Sequence, residues 1–340
     1  MATHDHTLSP IPVTPQGGTY LATLPSAAAD AVRALRAASK SPNTLRAYQS
    51  DWARFSEWCS SHGRSSLPAD PETVAWYLAD QVGQVKVPTL SRHLATISKA
   101  HQVAGLQSPT RDTLVRDTLA GLRKVHGQPP REAAGLLAAD MKTTLDTLGS
   151  DLSSARDRAL LLVGWYGALR RSELATLTWG DIQPDPEGVR LVLRHSKTDE
   201  LGQGQVVGLA RETDLGVCPV QALESWREVL AHESSEAVRA DRPVFLSVSR
   251  WGRLGGQLTG QAVALIIERR TAQAGLSVRY QGHSLRKGLV QQALLAGVSD
   301  SQVMQTTRHQ GVSMLRRYQG QVALVSKSAG RGLLSGRVNP

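Results

Sequence analysis

In GHSLRKGLVQQALLAGVSDSQVMQTTRHQGVSMLRRY, residues 282–318, three helical segments follow one another with polar residues at their ends. The first follows His283 and stops near Gly297. The second opens with Ser299 and Gln302 spaced as a capping box and ends near Gly311, and the third opens at Ser313 and carries Tyr318. His283 and Arg286 stand at the start of the first segment, His309 near the end of the second, and Tyr318 directly behind Arg316 and Arg317. A phenol in so basic a stretch packs, touches a phosphate or attacks one; taken alone, the residues leave all three open.

Charge supports a phosphate partner. The chain of 340 residues has a formal net charge of +10, and from His283 to the C-terminus eight Lys/Arg face Asp300 alone. Such clustering suits a polyanion, because each cation that neutralises a phosphate releases a condensed counterion. The length predicts two domains. The longest nearly unbroken apolar run, Ala159–Leu169, is far short of the roughly 20 residues that span a bilayer, so no membrane segment is expected. The N-terminus lacks the basic start and apolar stretch of a secretory signal, and Cys59 and Cys218 cannot make a disulfide framework, so a reducing, cytoplasmic setting is expected.

Upstream, residues 1–25 are rich in Pro, Thr and Gly and read as a disordered arm. Residues 26–127 read as a small helical domain. Its first helix carries Leu45, Tyr48, Trp52, Phe55 and Cys59 at spacings of three and four after a Ser41 or Asn43 cap; its second, from Pro71, turns Val74, Tyr77 and Leu78 inward. A third, PTLSRHLATISKAHQVAGL, sets Leu90, Leu94 and Ile97 against a polar stripe of Thr89, Arg92, Thr96 and Lys99, which should meet solvent or phosphate. A further helix lies near DTLVRDTLAGLRKV. The Pro/Gly stretch at residues 128–134 is the expected linker, and residues 135–340 a longer second domain. That second part reads as mostly helical, with VRLVLRHSKTDELGQGQVVGLA forming two short strands around a polar turn and DRPVFLSVSRWGRLGG forming a loop.

Four polar clusters stand out: Arg170 with Glu173, Lys197 in the polar turn, His283 with Arg286, and His309 with Tyr318. Each has a plain alternative, such as a surface ion pair for Arg170 and Glu173 or a backbone carbonyl partner for Arg286. Together they hold a nucleophile, two guanidiniums whose planar forks match phosphate oxygens, and proton donors for a leaving oxygen. The sequence has no concentrated carboxylate cluster for two Mg²⁺ ions and no GxxxxGK[ST] loop, so neither metal nor nucleotide cofactor is expected.

The order Arg, Lys, HxxR, His, Tyr, with 27 residues from Arg170 to Lys197, 35 from His283 to Tyr318 and nine from His309 to Tyr318, resembles the tyrosine site-specific recombinases. NTLRAYQSDWARFSEWC, the PTLSRHLATI helix and residues 282–318 most resemble the Cre-type members, and the likeness covers roughly residues 40 to 335. It implies a mainly α fold, a two-domain clamp around duplex DNA with a short β-sheet in the catalytic domain. It also implies a 3′-phosphotyrosyl intermediate and strand exchange between inverted-repeat sites in a homotetramer. Tyr318 would be the nucleophile, Arg170 and Arg286 the transition-state grip, and Lys197 the acid for the leaving 5′-oxygen. His283 would serve in proton transfer or bind the phosphate, His309 would hold a non-bridging oxygen, and Glu173 would orient its neighbours. Two positions depart from the pattern: His309 stands where the Cre-type members have tryptophan, although histidine is usual in the wider family, and Arg308 stands where a small glycine is common, which leaves a phosphate contact and plain surface charge both open.

For the helical domain the resemblance implies approach to the major groove, with Thr44, Arg46, Lys86, Thr89, Arg92 and His93 as contacts. Arg92 is the expected base reader, with phosphate contact equally open. The tail after Tyr318 would dock on a neighbouring protomer or on its own domain. A type IB topoisomerase-like enzyme and a non-catalytic architectural protein are the rival readings.

Overall fold

The computed structural model describes residues 42–128, 133–194 and 204–308. Lys197, His309 and Tyr318, the expected arm with Ser41, and the C-terminal tail lie outside the described residues. The chain divides into two compact units, Met1–Pro130 and Arg131–Pro340. The described residues are mostly helical, with a small antiparallel sheet in the second unit. No described helix is long and apolar enough to cross a membrane.

The first unit holds α1 (Pro42–Ser61), α2 (Pro71–Asp80), α3 (Val87–Val103) and α4 (Thr113–His126). Asp70 caps α2 by accepting from the Thr73 amide at 2.6 Å, and Pro71 follows in the first turn, where it has no amide to leave unpaired. Asp112 caps α4 in the same way through the Leu114 amide. The core is aromatic: Phe55 and Tyr77 meet edge-on at 5.0 Å, and Trp58 and Tyr77 at 5.3 Å. Val74, Tyr77 and Leu78 are fully buried, as their spacing predicts. The inner face of α1 runs through Trp52, Phe55, Trp58 and Cys59, whereas Leu45 near the start of the helix is exposed.

The expected polar stripe on α3 needs correction. Thr96 is buried and donates to Asp51, because α1 packs along α3 and closes over that side. A carboxylate on the neighbouring helix, invisible to the periodicity of α3 itself, makes the position polar and interior.

The second unit begins with α5 (Ala138–Asp146) and α6 (Leu152–Tyr166). Asp151 caps α6 by accepting from the amides of Ser153 and Ser154, and Ala159–Val163 are buried all round, which places α6 at the centre of the core. After α7 (Arg171–Thr176), strands β1 (Ile182–Asp185), β2 (Gly188–Leu193) and β3 (Gln205–Ala210) form a meander, with Leu191 opposite Val207. The inward alternation of Leu191, Leu193, Val207 and Leu209 sets its register. The segment containing Lys197 joins β2 to β3 in sequence. Helix α8 (Pro219–Glu233) packs along α6.

The stretch expected as loop contains a second sheet, β4 (Leu246–Val248) paired with β5 (Leu254–Gln257). It escapes a sequence reading because β4 has only three residues and β5 carries two glycines, so pairing rather than propensity makes the hairpin. β1 escapes for a related reason: Pro184 sits in it, tolerated because β1 is an edge strand. Helices α9 (Gly260–Gln273), α10 (Ser284–Leu295) and α11 (Asp300–Thr307) end the described chain. Ser299 caps α11 and accepts from the Gln302 amide at 3.4 Å, at the position the spacing predicts.

Candidate active site

The site grows from the end of α6. There the amide of Leu169 donates to the Gly164 carbonyl and that of Ala168 to the Trp165 carbonyl, a Schellman closure with Ala168 in the left-handed region at φ 45°. A non-glycine residue in that region costs about 1 kcal/mol. The turn sends the chain straight into α7, with Arg170 immediately before its first residue. Gly164 gives room for the packing behind it, since a β-carbon there would press on the side chains of Leu285 and Leu174.

Glu173 ties this corner together. One carboxylate oxygen accepts from Arg170 Nη1 at 2.7 Å; the other accepts from the Arg170 amide at 2.8 Å and from Arg308 Nη2 at 3.0 Å. The Glu173 side chain is 1% exposed, so this is no surface ion pair. Burial alone would push its carboxyl up, but Arg308, with the Arg170 amide and guanidinium, holds it below the ordinary value.

Arg286 arrives from α10. It is buried, and its Nη1 donates to the Ala168 carbonyl at 2.8 Å while Nη2 donates to the Thr307 carbonyl. The carbonyl-bonding alternative for Arg286 is therefore what the structure contains, and it fixes the guanidinium beside the Arg170 corner. His283 is exposed just ahead of α10, one turn before Arg286. α10 is seated by the backbone near Leu136: the Leu136 amide donates to the Ser284 carbonyl at 2.9 Å, and the Ala138 amide to Gln292 Oε1 at 3.1 Å. This approach is possible only because residue 288 is glycine; a β-carbon there would overlap the Leu136 backbone.

Arg308 is the member that sequence reasoning did not place. It follows α11 in the left-handed region, φ 58°, and its side chain is 6% exposed. Burial lowers its pKa and Glu173 opposes the shift. Its departure from glycine was the one sequence signal; its partner could not be read from spacing. The structure thus links Arg170, Glu173, Arg286 and Arg308. Among the described residues, no group of three or more His, Cys, Asp or Glu is placed to hold a metal ion.

In the first unit the expected DNA contacts divide. Arg46 is exposed, its Nη2 donating to Asn43; Lys86 is exposed just before α3; Thr44 and Thr89 are half-buried. Arg92 is half-exposed, with Nε and Nη2 both on Asp51 at 2.8 Å, so one edge of its fork is already engaged. His93 is a correction: its ring is 2% exposed, bonded to the Tyr77 hydroxyl at 2.8 Å and within 3.2 Å of Asp51. Burial lowers its pKa, against the pull of Asp51. It braces the core because α3 turns it toward α1 and α2 rather than outward.

The family model described as "Phage integrase family" matches residues 135–322, and that described as "Phage integrase, N-terminal SAM-like domain" matches residues 32–107. An integrase/recombinase xerD homolog of Selenomonas ruminantium is 35% identical over 286 residues, 82% of each chain. The recombinase cre of Escherichia phage P1 is 25% identical over 283 residues, 78% of this chain and 80% of that one, so identity to the xerD homolog is the higher of the two. The solved structure of XerH site-specific recombinase, bound to a palindromic difH substrate in a post-cleavage complex, superimposes with a TM-score of 0.63. At 17% identity, covering 86% of this chain and 80% of that one, it shows a shared fold.

Proposed function

This chain belongs to the phage integrase family of tyrosine recombinases, and from that premise we propose that it exchanges DNA strands through a 3′-phosphotyrosyl intermediate on Tyr318. It is a DNA strand-transferring enzyme of site-specific recombination; the chemistry below is our reading of its residues.

The Tyr318 oxygen attacks the scissile phosphorus, the bond to the 5′-oxygen breaks, and Lys197 supplies the proton that the leaving oxygen takes. His283 accepts the phenol proton. Arg170 and Arg286 face the non-bridging oxygens, and His309 donates to one of them. Charge grows on these oxygens in the transition state, where fixed donors in a water-poor site are worth most. Glu173 holds Arg170 by amide and guanidinium together, which limits the fork to one orientation. The linkage to tyrosine keeps the energy of the phosphodiester, so the 5′-hydroxyl of a second DNA reverses the step and joins the strands. Inverted-repeat sites, as the palindromic substrate of XerH suggests, and a homotetramer on two of them complete the reading. On the first unit, Thr44, Arg46, Lys86, Thr89 and the outer edge of Arg92 take the DNA.

The observation that carries this reading is the joint anchoring of Arg170 and Arg286 around the Ala168 turn, two guanidiniums brought together from separate helices. The test uses a nicked duplex whose site is selected from a randomised library, with the denaturant-stable adduct measured on a gel. Tyr318→Phe is expected to lower adduct by at least about 1000-fold; undiminished adduct from that variant would sink the assignment.

A further inference from the structure

We propose that Arg308 is a third arginine of the phosphate site, binding a non-bridging oxygen of the scissile phosphate through its Nε and Nη1 groups. This rests on the recombinase reading above.

The first support is the hydrogen-bond inventory. Arg308 Nη2 is engaged by Glu173 at 3.0 Å and by the Ala168 carbonyl at 3.4 Å. Nε and Nη1 are shut off from solvent and have no hydrogen-bond partner among the described residues. A guanidinium cannot shed its proton to avoid this, and unpaired buried donors are rare enough to need a reason. A phosphate oxygen that reaches these donors when DNA binds would supply that reason.

The second support is where the side chain ends. It reaches the same carboxylate that orders Arg170 and the same carbonyl that anchors Arg286. Three guanidiniums then cluster about the Ala168 turn with one carboxylate, Glu173, which bonds two of them, a local formal excess of two positive charges. A diester phosphate brings one negative charge and the pentacoordinate transition state brings a second, so the excess matches the reacting group rather than the empty site.

The third support is the backbone. At φ 58° glycine would be free of strain, yet an arginine occupies the position with its side chain turned inward. Surface charge would not require a buried guanidinium.

The experiment compares two duplexes carrying the selected site, one natural and one with a neutral methylphosphonate at the scissile position, using adduct formation on Tyr318 as readout. Arg308→Gly, which also relieves the backbone, is expected to slow the natural substrate about 100-fold. On the methylphosphonate it is expected to stay within about threefold of the unaltered chain, since no charge remains to be neutralised. Arg308→Lys, which keeps charge but loses the fork, is expected to fall between. Wild-type rates from Arg308→Gly on the natural DNA, or equal slowing on both DNAs, would overturn the proposal; the second pattern would make Arg308 a positioning residue for Glu173. If the Gly variant fails to fold, Arg308→Lys carries the same two-substrate comparison. Absence of adduct from the unaltered chain overturns the recombinase reading itself, whereas the pattern among variants bears on Arg308 alone.

Discussion

Two carboxylate–arginine clusters in the second unit look alike in composition and differ in completeness. Asp157, fully buried on α6, accepts from Arg156 at 2.6 and 2.8 Å, from Arg270 at 2.6 Å and from Arg269 at 3.0 Å. The remaining donors of the two buried arginines are also occupied, and Arg269 is half-exposed. Arg156 Nη1 reaches the Leu246 carbonyl, and Arg270 reaches Gln273, Ser153 and Ser154. Glu173 likewise sits among arginines, but Arg308 beside it keeps two buried nitrogens without partners among the described residues. Excess positive charge is common to both. What separates a structural cluster from one poised for an anion is whether the donors are used up.

Asp157→Ala strains that comparison hardest. It leaves two buried guanidiniums without their counter-charge and is expected to lower unfolding stability by about 3–5 kcal/mol, read by urea titration. A loss under about 1 kcal/mol would mean the cluster is not structural and the contrast fails. Next in size, Gly288→Val drives a side chain into the Leu136 backbone and should cost about 3 kcal/mol while displacing Arg286. Adduct formation should then fall further than the folded fraction does; parallel losses would show that α10 seating matters to stability alone.

Glu173→Gln is expected to be milder, about 1–2 kcal/mol, because the amide oxygen still accepts from Arg170. Its difference from the unaltered chain should also depend on pH. The folded carboxyl titrates below its ordinary value of 4.5, so its contribution is complete above that pH and is lost as pH falls through the lower folded value. The stability gap between the two proteins should close on acidification below about 4.5; a gap that stays constant would remove the charge from the explanation.

Much of the frame could be read from residue spacing. The inward faces of α2 and α3, the pairing of β2 with β3 and the cap at Ser299 follow from local periodicity and turn chemistry, because short-range sterics and hydrogen bonds decide them. The pieces that escaped depend on partners remote in sequence. Thr96 and His93 are interior because Asp51 lies opposite them, and β4 exists because β5 does. The Asp157 cluster is not legible locally, because RDR at the start of an apolar run reads as solvent-facing charge and two of its three arginines, Arg269 and Arg270, lie more than a hundred residues away.

The sequence by itself determined the family, the helical frame and the order of the proposed reacting groups, Arg170, Lys197, His283, Arg286, His309 and Tyr318, whose spacings resemble those of the family. Tertiary structure alone decided how the described members are held. Glu173 is buried between two arginines, Arg286 is pinned to carbonyls from two other segments, and Arg308 is folded inward with donors to spare. Burial and hydrogen-bond saturation are properties of contacts between distant segments, and a linear pattern records which groups are present without recording which of them remain unsatisfied.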